Sequence, residues 1–490
     1  VVTFAVLAAR VWWLSAIVPG MDYPQFLVFV RAAQDYTNAS SPFHGTYTLG
    51  AWYMPTSLPV QLVALLSHLC GGSLETAGKL LLAADDMTFV AAAAFLFHVL
   101  RRSRWSLALV LPLLHSRWAV AGGYTPFATA IPLVVLCWGL TIKWLQGLET
   151  WAAVALATCM VTIHLWHGIA FVLAGFGFAV FWLVWRAPSL DARIQSVVPT
   201  LPAIALFVIW FSGNFGKHPA APPAWMPPAE AIKSFVEYVW ASVPNCKTQA
   251  AVLAAIVGTG AVASAFGPRT SRRPARGWRV PNPLLLLSGG LLAAYFLMPM
   301  YANGVEGIAN RFAYPAVLAF LFGWKLPSAV LPRAAVLAAA GGLATFCLVD
   351  LSSRFRAFDE DTRGASALMD RIGPRETLYY GPTDRGVSKD FAPAHPVLRE
   401  LQQFATVRHG GLPNSSFAGY GINYVKYVGG TNPMPGLRGP PRWSPEMTKF
   451  DYVLVRAGQA PQDARFRKVD GESGWELYAV CGSARMPTCS

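Results

Sequence analysis

The sequence predicts a mainly α-helical, polytopic membrane protein of about eleven spanning helices, followed by a small C-terminal soluble α/β domain. Three observations carry that reading. Only 13% of the 490 residues are charged and 54% are hydrophobic, where a soluble protein carries about 25% charged residues. The charge is also split: of the 64 Asp, Glu, Lys and Arg, 32 fall in the first 350 residues and 32 in the last 140. Finally, apolar runs of about 17 to 25 residues, the length that crosses a bilayer as a helix, recur through the first part.

Those runs lie near residues 2–19, 78–100, 105–121, 125–145, 150–165, 168–185, 195–213, 249–267, 282–299, 312–326 and 333–350. The first reads as a retained span, since no small-residue cleavage site precedes Pro19-Gly20. Orientation follows from the basic residues. Arg101, Arg102, Arg104, Lys143, Arg186, Arg193, the arginines between 269 and 279, Lys325 and Arg333 share one face, thirteen of the 21 basic residues before 351. The positive-inside bias makes that face cytoplasmic. The net charge of +14 is therefore a topology signal rather than a nucleic-acid footprint. An odd number of spans then places the N-terminus inside and residues 351–490 outside.

The outer face holds two long segments, near 20–75 and 214–247, and loops of that length usually carry function. Helical spacing of apolar residues predicts helices over 23–36 and 57–69, both lying along the membrane surface, and a third over 229–242. Asp85 and Asp86 fall inside the second span, where an ionisable side chain is costly and by default a functional candidate. Residues 351–490 predict helices at 361–372 and 396–405, strands at 377–380, 424–428 and 452–455, and a hairpin of 466–469 with 475–480. Gly419-Tyr420-Gly421 lacks the flanking strand and helix of a dinucleotide site. Cys481 and Cys489 suit a disulfide or two free thiols.

Several short motifs recur on the outer face. Pro19-Gly20-Met21-Asp22-Tyr23-Pro24 ends the first span ahead of a long loop with two helices; Gly123-Tyr124-Thr125-Pro126-Phe127 opens the fourth; Thr162-Ile163-His164 with His167 ends the fifth; Asn310-Arg311-Phe312 opens the tenth. In this order, over residues 1–350, the chain resembles the GT-C superfamily of polytopic glycosyltransferases, which use lipid-linked sugar donors. The resemblance implies a GT-C-like membrane domain at 1–350, while the charge split and the odd number of spans set residues 351–490 apart as an extracytoplasmic domain. The resemblance further implies a bacterial cytoplasmic-membrane enzyme of the inverting type that moves a sugar from a polyprenyl-phosphate donor to a lipid, glycan or protein acceptor on the periplasmic side. Asp22 matches the acidic residue of the first loop that acts at the acceptor or as general base. The family's second acidic residue in that loop has no counterpart, since Asp35 lies more than three helical turns further on.

The chemistry of such a transfer needs a base for the acceptor hydroxyl and cations for the departing phosphate. Asp22, beside apolar walls, suits the base; a helix-capping role is the alternative. Arg117, in His115-Ser116-Arg117-Trp118, and Arg311 suit bidentate phosphate binding or snorkelling to the interface; Lys217 and His218 are weaker candidates. His164 and His167, three apart, suit hydrogen bonds to substrate better than zinc, for which no third ligand is evident. Glu306 suits an ion pair with Arg311 or a ligand contact. Asp85 and Asp86 could join Asp22 around a divalent cation, Mg or Mn. The expected partners are a lipid-linked donor, membrane lipids and other subunits of a membrane complex, with no nucleic acid. The competing reading is a structural or assembly subunit that keeps a GT-C-like fold without catalysis. A transporter would predict an internal repeat, and none is found.

Overall fold

A computed structural model describes the chain except residues 1, 115–124, 215–221, 240–250, 252–253, 256–257, 259–277, 303–304, 328, 383–385, 387, 389–390, 392–395, 417, 419–422 and 484–490. Arg117, Lys217, His218, Cys489, most of the span at 249–267 and the Gly419-Tyr420-Gly421 turn, all singled out in the sequence, lie outside the described residues. The helices are α1 (Val2–Arg10), α2 (Tyr23–Asp35), α3 (Ser57–Leu69), α4 (Leu74–Val99), α5 (Thr125–Ala128), α6 (Ile131–Gly147), α7 (Thr150–Trp166), α8 (Gly168–Val184), α9 (Leu190–Gln195), α10 (Leu201–Asn214), α11 (Pro228–Val239), α12 (Pro283–Leu297), α13 (Asn310–Gly323), α14 (Val330–Met369) and α15 (Gln403–His409). Among the described residues four helical stretches are long and apolar enough to cross a membrane: 74–99, 125–147, 190–214 and 330–369. Five shorter apolar helices accompany them, among them α7, α8 and α12.

Three expected spans take another form. The helix of the first run ends at Arg10 and continues as a 3-10 turn over Val11–Trp13. Over the described residues of the third, two 3-10 segments, Arg104–Leu109 and Leu111–Leu114, stand in place of a regular helix; Pro112 has no N–H to give an α-helical ladder. The last run does not stop at 350: α14 is a single helix of 40 residues.

The chain divides into two compact units. The first holds residues 1–10, 82–119 and 126–351. In it α6 packs on α7 and α8, α10 on α7, α12 on α8, and α13 on α11 and α12. Gly177 of α8 lies under the buried Trp138 ring of α6, where a Cβ would overlap the indole, so a small residue permits the close helix approach. The C-terminus of α13 is capped from elsewhere in the chain. The Arg102 guanidinium donates to the carbonyls of Phe322, Gly323 and Trp324, and Asn282 Nδ2 donates to Gly323 O at 2.6 Å. These are the carbonyls a helix end leaves without intrahelical donors, at the negative pole of its dipole.

The second unit holds residues 11–81, 120–125 and 352–490, so the first long loop folds together with the C-terminal residues. Its helix α2 is buried at nine of thirteen positions. It is a central helix rather than a surface one, packed against α3, α15, β1 (Tyr47–Leu49) and β5 (Val425–Tyr427). Strands β1 and β5 pair antiparallel, Thr48 opposite Lys426. A short antiparallel pair in the first unit, β2 (Tyr301–Ala302) and β3 (Val305–Glu306), leads into α13. The main sheet has the order β4-β6-β8-β7, with β4 (Leu378–Tyr380) parallel to β6 (Tyr452–Arg456), and β8 (Trp475–Val480) antiparallel to both β6 and β7 (Phe466–Glu472). Tyr379, Met447, Phe450, Val453, Phe466 and Val480 form its core. The β7–β8 turn is Ser473-Gly474 with φ of 45° and 82°, the doubly left-handed geometry of a two-residue hairpin turn. Cys481 is disulfide-bonded; Cys70, Cys137, Cys159 and Cys347 are free.

Candidate functional site

In the first unit the structure brings together Arg311, His167 and Phe127. Arg311 stands in the first turn of α13, only 5% exposed, and its Nη1 donates to the Glu306 carbonyl at 2.7 Å. In place of the expected side-chain pair, Arg311 bonds the backbone of Glu306, whose side chain faces solvent. The guanidinium carbon lies 5.7 Å from the centroid of the Phe127 ring. On that same ring the His167 imidazole packs edge-on, centroids 5.3 Å apart at 67°. Trp166 Nε1 donates to Thr129 Oγ1 at 2.9 Å, which ties the end of α7 to the turn after α5 and holds Phe127 and His167 in register.

His167 is not on the helical face of His164. Helix α7 ends at Trp166, and His167 is extended (φ −163°, ψ 124°), its Nδ1 accepting from Ala170 N at 3.4 Å as the cap of α8. With Nδ1 an acceptor, the neutral ring carries its proton on Nε2. Loss of water around the ring, then the nearby Arg311 guanidinium, lower the imidazole well below its ordinary pKa, which keeps the ring neutral with its proton on Nε2. His164 is fully buried on the last turn of α7, edge-on to Phe171, Phe207 and Trp210. The two histidines therefore sit in different surroundings. A cation and a neutral N–H donor on one aromatic ring can bind an anion such as a phosphate ester.

In the second unit Asp22 is the N-cap residue of α2, 6% exposed, and its side chain makes no capping hydrogen bond to the helix. Pro24 at the second helical position supplies no N–H for it. The helix is held instead by its next residues. Gln25 is hydrogen-bonded to the buried Glu400 carboxylate, and the Tyr23 ring lies 6.4 Å from that of Phe404. Sequence reading did not single out Gln25 or Glu400. Gln25 carried a signal, because an N-cap Asp followed three residues later by Gln is a helix-start pattern; Glu400 carried none. Asp85 and Asp86 are both buried in α4, one residue apart and so about 100° apart around the helix. Among the described residues no group of three or more His, Cys, Asp or Glu side chains is placed to hold a metal ion.

No family model and no curated protein matches the sequence. Solved structures do. ArnT from Cupriavidus metallidurans in the apo state aligns with a TM-score of 0.54 at 13% identity, covering 98% of this chain and 97% of ArnT. The same enzyme bound to undecaprenyl phosphate aligns at 0.53 over the same shares. The mycobacterial arabinofuranosyltransferase AftD aligns at 0.51 with 14% identity over 98% of this chain, which spans 39% of the AftD length. These neighbours are GT-C glycosyltransferases. Together with the long apolar helices, the alignment makes this a multi-pass membrane protein with the GT-C fold.

Proposed function

We propose that the protein is a glycosyltransferase that moves a sugar from a polyprenyl-phosphate donor to a lipid, glycan or protein hydroxyl at the outer face of a bacterial cytoplasmic membrane, with residues 351–490 outside the cytoplasm. The observation that carries this reading is the likeness to ArnT along nearly the full length of both chains, including the form bound to undecaprenyl phosphate. The chemistry is a displacement at the anomeric carbon. The acceptor oxygen forms the new bond as the bond to the phosphate oxygen breaks, and the electron pair leaves with the phosphate. In the first unit, Arg311 and neutral His167 suit the phosphate, the guanidinium offsetting its charge and Nε2 donating a hydrogen bond. In the second unit, Asp22 suits the base that takes the hydroxyl proton.

The test is transfer from a panel of undecaprenyl-phosphate-linked sugars by the purified protein, run with EDTA and with added Mg or Mn to reveal any cation requirement. Asp22→Asn is expected to lower kcat by about a hundredfold or more, and Arg311→Ala to raise KM for the donor. Unchanged turnover in Asp22→Asn removes Asp22 from the mechanism. A wild type that transfers no sugar from any of these donors overturns the reading.

A further inference from the structure

The second unit contains a buried polar network that the proposed chemistry does not use. Glu400, 7% exposed, accepts at Oε2 from Gln403 Nε2 at 2.7 Å, Ser415 Oγ at 2.7 Å and Gln402 Nε2 at 3.3 Å. Gln402 Nε2 also donates to Asn414 Oδ1 at 2.8 Å, and Asn432 Nδ2 donates to Asn414 O at 3.0 Å. Three polar side chains thus converge on one carboxylate in the interior, where an unsatisfied group would be costly, and Asn414 and Asn432 extend the network from Gln402. One more bond leaves this cluster, to Gln25.

Gln25 is the third residue of α2 and is itself 3% exposed. In an N-terminal capping box the third helical residue reaches back to the cap residue's N–H while the cap side chain reaches forward. Here the forward half is not made by the Asp22 side chain. Gln25 is engaged by Glu400, and the Asp22 carboxylate does not cap the helix. The first turn of α2 is therefore oriented by the C-terminal network rather than by its own cap.

We infer that Glu400, acting through Gln25, is a positioning device for Asp22: the C-terminal residues hold the first turn of α2 so that the Asp22 carboxylate stays directed away from its own helix. This rests on the proposed role of Asp22 for its catalytic consequence, though not for its structural one. It also gives residues 352–490 a task, which is to fix a loop some 375 residues away in sequence (Gln25 to Glu400).

The experiment has a structural and a kinetic arm, on the full-length protein in detergent. In the first, hydrogen–deuterium exchange of the amides at 22–30 is compared in wild type, Gln25→Ala and Glu400→Ala, with the β7–β8 hairpin as internal reference. Exchange at 22–30 is expected to rise at least tenfold in both variants with the hairpin unchanged; no change at 22–30 in Gln25→Ala overturns the inference whether or not transfer is detected. In the second, Gln25→Ala is expected to lower kcat by about a hundredfold, the scale of an ångström-level misplacement, with KM within twofold. The same substitution in an Asp22→Asn background is expected to cost nothing further, because a group acting through Asp22 has no effect once that carboxylate is gone. A loss that persists undiminished in the Asp22→Asn background makes Gln25 merely structural and overturns the inference. Absence of transfer in the wild type, with the exchange result intact, overturns the glycosyltransferase reading and leaves the tie standing.

Discussion

Replacing Arg408 with alanine is expected to destabilise the second unit by about 3 kcal/mol. Its guanidinium holds three elements together. Nε and Nη2 engage both carboxylate oxygens of Glu75 on α4 at 2.6 and 3.2 Å, and Nη1 reaches the Ser366 carbonyl of α14 at 3.2 Å and Asp370 Oδ1, just past the end of that helix, at 3.0 Å. Two exposures set the magnitude. Arg408 and Glu75 are 16% and 18% exposed, so the pair is largely buried, whereas Asp370 is 63% exposed. Breaking a buried pair by removing one partner costs about 3–5 kcal/mol, mostly because the remaining charge is stranded. The exposed Asp370 contact adds no more than about 0.5 kcal/mol, and the residual exposure of Glu75 argues for the lower end of the range. For a folding unit of this size that corresponds to a fall of about 6–12 °C in Tm, read by tryptophan fluorescence of the purified protein in detergent. The double variant Arg408→Met, Glu75→Leu strands no charge, and its Tm is expected to return to within about 3 °C of wild type. A shift below about 2 °C in Arg408→Ala would refute the reasoning, as would a double variant as unstable as the single one.

Two further predictions concern the same unit. Burial, ahead of the opposing bonds from Ser415, Gln403 and Gln25 and the charge of Arg399, raises the Glu400 pKa above its ordinary 4.5. The neutral form is thus favoured in the folded state, the stabilisation is fully present below 4.5, and it is lost as pH rises through the folded value; Glu400→Gln, which cannot ionise, should gain stability relative to wild type between pH 4.5 and neutrality, and parallel urea-unfolding curves for the two proteins would contradict this. At the hairpin turn, Gly474→Val must adopt the φ of 82° that a β-branched residue strongly resists, so a loss of about 1–2 kcal/mol is expected, measured as a lowered Tm, with an unchanged Tm counting against the turn geometry.

Much of the fold could be read locally. Helices α7, α8 and α12 coincide with apolar runs, and α3 begins and ends where the spacing of its apolar residues places it. The failures share a cause, which is that hydropathy reports solvent and not backbone. At residue 350 the composition turns polar, which agrees with the division between the compact units at 351/352 and predicts the end of a helix there. Yet from Asp350 to Met369 the chain has no proline and a single glycine, Gly364, so nothing stops the helix and α14 runs on. The same limit applies to α2: its apolar spacing predicts one greasy face, but tertiary partners cover the rest. The β1–β5 pairing joins three-residue segments nearly 380 positions apart, and strands so short have no local pattern that names their partner.

The site was legible to the extent that its chemistry depends on rare residues. An arginine at the start of an apolar helix and a histidine at the end of another are conspicuous against a sequence with 13% charge, and the fold sets both Arg311 and His167 against Phe127. Spacing alone misled for the histidines, because the three-residue interval puts them on one face only if the helix continues. It ends at Trp166, which turns His167 towards Phe127 and leaves His164 among aromatic rings. For Asp22 the sequence supplied the residue but not what orients it. Pro24 removes one N–H that could donate to its carboxylate, while Glu400, which holds Gln25, is indistinguishable in sequence from any surface glutamate beside Arg399. An acidic residue on a loop acquires a direction only from what that loop is packed against, and for α2 part of that packing, the tie from Gln25 to Glu400, comes from the C-terminal end of the chain.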